Sequence, residues 1–274
     1  MTETTYFFRR NIALPQDHGS WVFILSPLLV GLLAGGKFSP ASLSLVVAAM
    51  AAFLIRQPLT MAIKAYSGRR PRSDLPVARF WMMVYATLLL LSVTEIAILG
   101  YSYILYLGIP AVPVFAWHLW LVSRREERRQ AGVEILATGV LALAAPAAYW
   151  IGKGTYEPLG WLLWVLMWFQ SAASIVYAYL RLEQRQWKSI PNLETRFKSA
   201  YRALTYTLFN LVMSFTLGVF NIIPILVSLP FLLQATETIW GTINPAVGEK
   251  PVAVGLRQLI VTILFSLLFI ITWR

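Results

Sequence analysis

Nine apolar stretches, each near the length of a membrane-crossing helix, organise this chain of 274 residues. They are Ser20–Gly35, Ala41–Ile63, Phe80–Leu99, Ser102–Leu121, Ala131–Ile151, Gly160–Leu180, Ala203–Phe220, Ile223–Trp240 and Val252–Trp273. The first is short and contains Pro27, which predicts a tilted or kinked helix. Spans three and four are separated by Gly100–Tyr101 alone, and spans seven and eight by Asn221–Pro224. If the chain did not reverse at those two joints, seven spans would remain.

Charge alternates along the same frame. Of the 23 Lys and Arg residues, all but Lys37, Lys153 and Arg274 fall in or beside alternate gaps. Cytoplasmic connections retain Lys and Arg, so the pattern places the N-terminus in the cytoplasm and the C-terminus outside. The basic connections carry Arg9 and Arg10, then Arg69, Arg70 and Arg72, then Arg124, Arg125, Arg128 and Arg129. The longest, Arg181 to Arg202, is predicted to hold a short interfacial helix with Trp187 and Phe197 toward lipid. The expected fold is an all-α polytopic bundle of about nine transmembrane helices, forming one integral membrane domain over 1–274.

Composition agrees with that frame. The chain is 58% hydrophobic and 13% charged, against about 25% charged for a soluble domain. Its net charge of +11 does not point to nucleic acid, because the basic residues lie in short gaps between apolar spans. They suit orientation and contact with anionic headgroups instead. Cysteine is absent, which removes disulfides and thiolate chemistry. With His18 and His118 the two histidines, a multi-His metal site needs a second chain. No metal or cofactor is expected. The segment before Trp21 lacks the cleavage pattern of a signal peptide, and no P-loop, dinucleotide fingerprint or Ser nucleophile elbow occurs.

Polar groups at membrane depth are costly and so mark candidate sites. Asp17 and His18 enter span one. Arg56 and Gln57 lie near the basic end of span two, with Lys64 just beyond it. His118 lies near the same end of span four, Glu134 at the start of span five, and Gln234 and Glu237 in span eight. Glu95 is the exception, near the opposite end of span three. Span six carries Gln170, Ser174, Tyr177 and Arg181 at steps of four, three and four, which is one helical face. Such a stripe should be enclosed by protein, and a cavity opening toward the cytoplasm is expected. Asp17, His18, His118 and Glu134 are the candidates for acid–base work. The competing roles are a helix cap for Asp17 and interfacial placement for the histidines. Arg56, Lys64 and Arg181 either grip a phosphate or carboxylate directly or anchor their helices at the interface.

Two segments resemble known families. Pro15-Gln16-Asp17-His18-Gly19-Ser20-Trp21, followed by Pro27 and Gly31, resembles the opening signature of the YwiC-like membrane proteins. That resemblance implies a membrane bundle and no particular reaction. Ser174-Ile175-Val176-Tyr177-Ala178-Tyr179-Leu180-Arg181-Leu182-Glu183-Gln184-Arg185 resembles, more remotely, the second motif of UbiA-type intramembrane prenyltransferases. The likeness implies nine helices, an inside N-terminus and a cavity between the second–third and sixth–seventh connections. Tyr177, Ala178 and Glu183 match that motif. The family's carboxylates, however, are replaced by Ser174, Arg181 and Gln184, and Arg56 to Lys64 holds no carboxylate where the first motif should stand.

UbiA-type enzymes hold Mg²⁺ on Asp clusters to neutralise a leaving diphosphate. This chain has two Asp, Asp17 and Asp74, so Mg-dependent prenyl transfer is not expected. The expected function is binding of an isoprenoid, a quinone or an anionic lipid in an apolar chamber rimmed by Arg56, Lys64 and Arg181. Beside it stands a structural or assembly subunit of a membrane complex. A metal-free membrane enzyme, a transporter and a divergent prenyltransferase are lesser alternatives. The membrane is expected to be a bacterial plasma membrane or an internal one.

Overall fold

A backbone in hydrocarbon must satisfy its own N–H and C=O groups, which is why the apolar stretches become helices. The computed structural model describes residues 9–15, 18–126 and 131–273, and among them there is no strand. The helices are α1 (His18–Gly35), α2 (Pro40–Tyr66), α3 (Leu75–Ile96), α4 (Gly108–Arg124), α5 (Ala131–Lys153, interrupted at Leu143), α6 (Leu159–Gln184), α7 (Leu193–Val219), α8 (Ser228–Ile243) and α9 (Pro251–Thr272). Five helical stretches are long and apolar enough to cross a membrane: Pro40–Tyr66, Arg72–Arg124, Ala131–Lys153, Leu159–Gln184 and Pro251–Thr272. Arg72–Arg124 contains both α3 and α4. The remaining helices are shorter or, like α7 with its buried Thr207, Asn210 and Ser214, more polar.

Both tight joints reverse the chain. Gly100 has φ +93°, a conformation that glycine enters freely, and a 3-10 turn at Ser102–Leu107 leads into α4. The return of α4 is fixed at its far end, where Arg69, just past α2, donates to the Val122 carbonyl. Between α7 and α8, Gly218 lets the turn fold back tightly, because a Cβ there would lie 2.6 Å from Ile225 Cα.

The centre of the bundle is the α1–α5 pair. Gly31 lies against Ala145, and Gly35 against Gly152, so closely that a Cβ on either glycine of α1 would stand 2.3 or 2.9 Å from the opposing backbone. Small residues of this kind let helices approach in lipid, where packing replaces the hydrophobic effect. Against α1 lies α9, joined by a 2.6 Å contact between the hydroxyls of Ser26 and Ser266. On one flank, α2 packs on α3 and α4. On the other, α6 packs on α5, α7 and α9, and α8 closes the group.

The basic connections gather at one end. Asp74 accepts from Arg9 at 2.9 Å and from Arg70 at 3.0 Å, tying the N-terminal segment to the α2–α3 connection. There Ile12 is fully buried with Met61, Ala62, Val77 and Ala78. Tyr179 near the end of α6 donates to Glu134 at the start of α5. Gly248 between α8 and α9 donates to the Arg185 carbonyl. Gly35, Gly152 and the Tyr149–Trp273 contact mark the opposite end.

One expectation needs correction. The segment Arg181 to Arg202 is not a long loop with its own interfacial helix. α6 continues to Gln184, and α7 starts at Leu193 behind Asn192, whose side chain accepts from Thr195 N at 3.0 Å. The charged residues belong to helix ends, because long basic side chains reach the interface without the backbone leaving helical form.

Candidate functional site

The stripe on α6 meets α8 and α9. Gln170, Ser174, Tyr177 and Arg181 are all buried, with Arg181 only 1% exposed. At the deep end Gln170 donates to Ser174 Oγ at 3.1 Å, and Gln234 of α8 donates to Ser174 Oγ and to the Gln170 carbonyl at 3.0 and 2.9 Å. One turn further, Tyr177 donates to Glu237 Oε1 at 3.0 Å. The same carboxylate is held in a fork by Arg257 of α9, Nε to Oε1 at 2.6 Å and Nη2 to Oε2 at 2.8 Å. Gly241 makes room for the phenol, since a Cβ there would lie 2.0 Å from Tyr177 Oη.

Arg181 closes the stripe at the basic end. Its Nη1 donates to the carbonyls of Gly241 and Asn244 at 2.9 and 2.7 Å and to Gln184 Oε1 at 3.0 Å. Those carbonyls belong to the last turn and end of α8, where a cation complements the helix dipole. Its Nη2 is buried without a hydrogen bond and stands 3.5 Å from Glu249 Oε1, on a side chain 42% exposed. Two guanidiniums approach the Trp240 ring, that of Arg257 3.6 Å from its centroid and that of Arg181 at 5.7 Å.

Six expected residues therefore converge: Gln170, Ser174, Tyr177, Arg181, Gln234 and Glu237. They do so as a seam rather than an open chamber, because α8 and α9 supply partners that fill the polar face. The other expected residues lie elsewhere. Arg56 is half-buried on α2 with its guanidinium 5.4 Å from the Phe53 ring, and Lys64 is half-buried near the end of the same helix. α2 packs on α1, α3, α4 and α5, away from the α6–α8 seam, so the rim of Arg56, Lys64 and Arg181 is corrected to Arg181 with Arg257. Glu134 is exposed and accepts from Tyr179 Oη of α6 at 2.8 Å. His118 is half-buried on α4. Asp17 lies outside the described residues. His18 begins α1, and its side chain lies outside them too.

Sequence reasoning missed Trp240, Gly241, Glu249 and Arg257, and named Gln184 only as the place of a lost carboxylate. Glu237 was the signal for Arg257: an apolar helix that buries a carboxylate requires a cation nearby, and α9 follows α8 directly. Among the described residues no group of three His, Asp or Glu side chains comes together in a way that could hold a metal.

Residues 14–149 match the family model described as YwiC-like protein. The chain is 25% identical to the protein called "Uncharacterized protein YwiC" of Bacillus subtilis (strain 168) over 158 residues, 56% of this chain. It spans 59% of that relative's length. No solved structure matches the chain. The matched region holds the opening signature, α1 with Gly31 and Gly35, and α5 as far as Tyr149, and ends before Gly152 and α6. Residues 14–149, just under half of the chain, are thus similar to the YwiC-like proteins.

Proposed function

We propose that this integral membrane protein binds the anionic head of a membrane amphiphile at Arg181, with the basic end of the bundle facing the cytoplasm. The observation that carries the reading is the divided state of the Arg181 guanidinium. One edge is saturated by fixed carbonyls of α8. The other is buried, lacks a hydrogen bond, and faces a carboxylate on an exposed side chain. A guanidinium edge presents two N–H groups in a fork that fits phosphate or carboxylate. In this reading Glu249 occupies the position of the ligand's anion and swings out to admit it. Arg257 adds a second positive charge over Trp240. An isoprenoid or quinone precursor with an anionic head, or an anionic lipid, has the required chemistry. The positive-inside rule supports the orientation, and a bacterial plasma or internal membrane is the setting proposed.

The test is native mass spectrometry with lipid extraction on wild type, Arg181→Gln and Glu249→Gln, each checked for cooperative thermal unfolding and monodisperse extraction. Wild type should retain a defined anionic amphiphile. Glu249→Gln should hold it more tightly, because the competing carboxylate is neutral, and Arg181→Gln should lose it. Equal retention in all three removes the reading. A chain that emerges without lipid but joined to other subunits would favour the assembly role.

A further inference from the structure

We infer that the opposite side of α6 carries a second, independent site: a lateral groove for one acyl chain of an anionic glycerophospholipid. The groove encloses about 320 Å³ between α5, α6 and α7. Its walls are Ile135 of α5, Trp168, Phe169 and Ala172 of α6, and Tyr206 and Phe209 of α7. Three of the polar side chains around it are engaged by backbone carbonyls. Trp168 Nε1 donates to the Ile135 carbonyl at 2.7 Å, Asn210 to the Phe169 carbonyl at 2.8 Å, and Thr205 to the Tyr201 carbonyl at 2.9 Å. What remains toward the opening is aliphatic and aromatic surface. Phe209 is 55% exposed and Tyr206 is 37% exposed. The lining is predominantly apolar, which suits a hydrocarbon chain better than a headgroup.

Charge fixes which lipid. Arg202 precedes Thr205, Tyr206 and Phe209 by three, four and seven residues, and Lys198 precedes Arg202 by four. On a helix those steps stay on one face, so both cations lie below the groove toward the basic end of the bundle. Both are exposed. Glu134, beside Ile135, is engaged by Tyr179. A chain lying in the groove thus brings a phosphate to the level of Lys198 and Arg202, at the bilayer surface where basic side chains attract anionic lipid. This site shares no residue with the Arg181 seam, which faces α8 and α9.

The experiment titrates delipidated protein in detergent with phosphatidylglycerol or phosphatidylcholine of identical chains, read by native mass spectrometry. In an Arg181→Gln background, which removes the seam's anion site, one phosphatidylglycerol per chain should survive activation that strips phosphatidylcholine. Ala172→Phe, which fills the groove, should abolish it. The surface double variant Lys198→Gln/Arg202→Gln leaves the packing untouched and should weaken binding roughly 30-fold, the effect of two basic groups at a membrane surface. Arg181→Gln should leave this lipid in place, which separates the two sites. Equal retention of the two lipids, or unchanged phosphatidylglycerol binding in the double variant, overturns the inference.

Discussion

At the scale of single residues, the seam is built from groups that would be costly in lipid alone and become tolerable in combination. Glu237 has a side chain only 10% exposed, yet it takes the Arg257 fork and the Tyr177 hydroxyl together. Tyr177 in turn depends on the missing Cβ of Gly241. Tyr177→Phe should lower stability by about 1.5–3 kcal/mol, the range for a hydrogen bond to a charged group. Gly241→Ala should lower it by about 1–3 kcal/mol through overpacking. Both act on the phenol, so the double variant should lose less than the two losses added together. Thermal unfolding in detergent of the two single variants and the double variant measures this; simple additivity would mean that Gly241 serves another contact. Six of the seam's residues were legible in the sequence because a polar face on an apolar helix stands out against its background. Gly241 and Trp240 were not, because a glycine and a tryptophan near the end of an apolar span look the same whether they serve lipid, packing or a neighbouring guanidinium.

At the scale of elements, hydropathy located the spans well and located some of their ends poorly. A falling hydropathy signal at Arg181 reads as the end of a helix, but backbone hydrogen bonding continues for another turn to Gln184 and resumes at Leu193. Helix ends follow caps such as Asn192, which a local sequence pattern can reveal, while polarity follows the membrane surface. Helix pairing was less legible still. Nothing in the periodicity of α1 identifies α5 as its partner, since its apolar residues surround the helix. The partner becomes visible only through Gly31 and Gly35, which face Ala145 and Gly152 at backbone contact distance. Gly35→Leu should therefore push α1 from α5 and lower the melting temperature sharply, because the opposing atoms are backbone and cannot rotate aside. Gly36→Leu is a poor control, as φ +84° strains any side chain there. Gly19→Leu, with open space around its Cβ position, should be nearly neutral. If Gly19→Leu and Gly35→Leu melt alike, the α1–α5 contact is not what holds the bundle's centre.

At the scale of the whole molecule, alternation of charge in the sequence becomes a difference between two ends of the bundle. Asp74 with Arg9 and Arg70, the Tyr179–Glu134 contact and the Arg185–Gly248 contact lie along one end. Lys37 and Lys153 follow Gly35 and Gly152 at the other. A membrane protein retains its basic connections on the cytoplasmic side, where the cost of moving Lys and Arg across is avoided and anionic lipid attracts them. The chain contains no cysteine, so single cysteines can be placed on a silent background. Lys37→Cys, Lys153→Cys and Ile222→Cys, all exposed positions, should react with a membrane-impermeant maleimide in intact cells. Lys188→Cys, exposed between α6 and α7, should react only after the membrane is opened. Ile222 carries the most information, because it follows α7 at the joint where the chain turns back into α8. Labelling there from outside requires that α7 leave the cytoplasm and that α8 return. The reverse pattern would invert the bundle and place Arg181 and its anion site on the outer face. Protection of Ile222→Cys alongside Lys188→Cys would instead mean that α7 and α8 form a pair that enters and leaves by the cytoplasmic side.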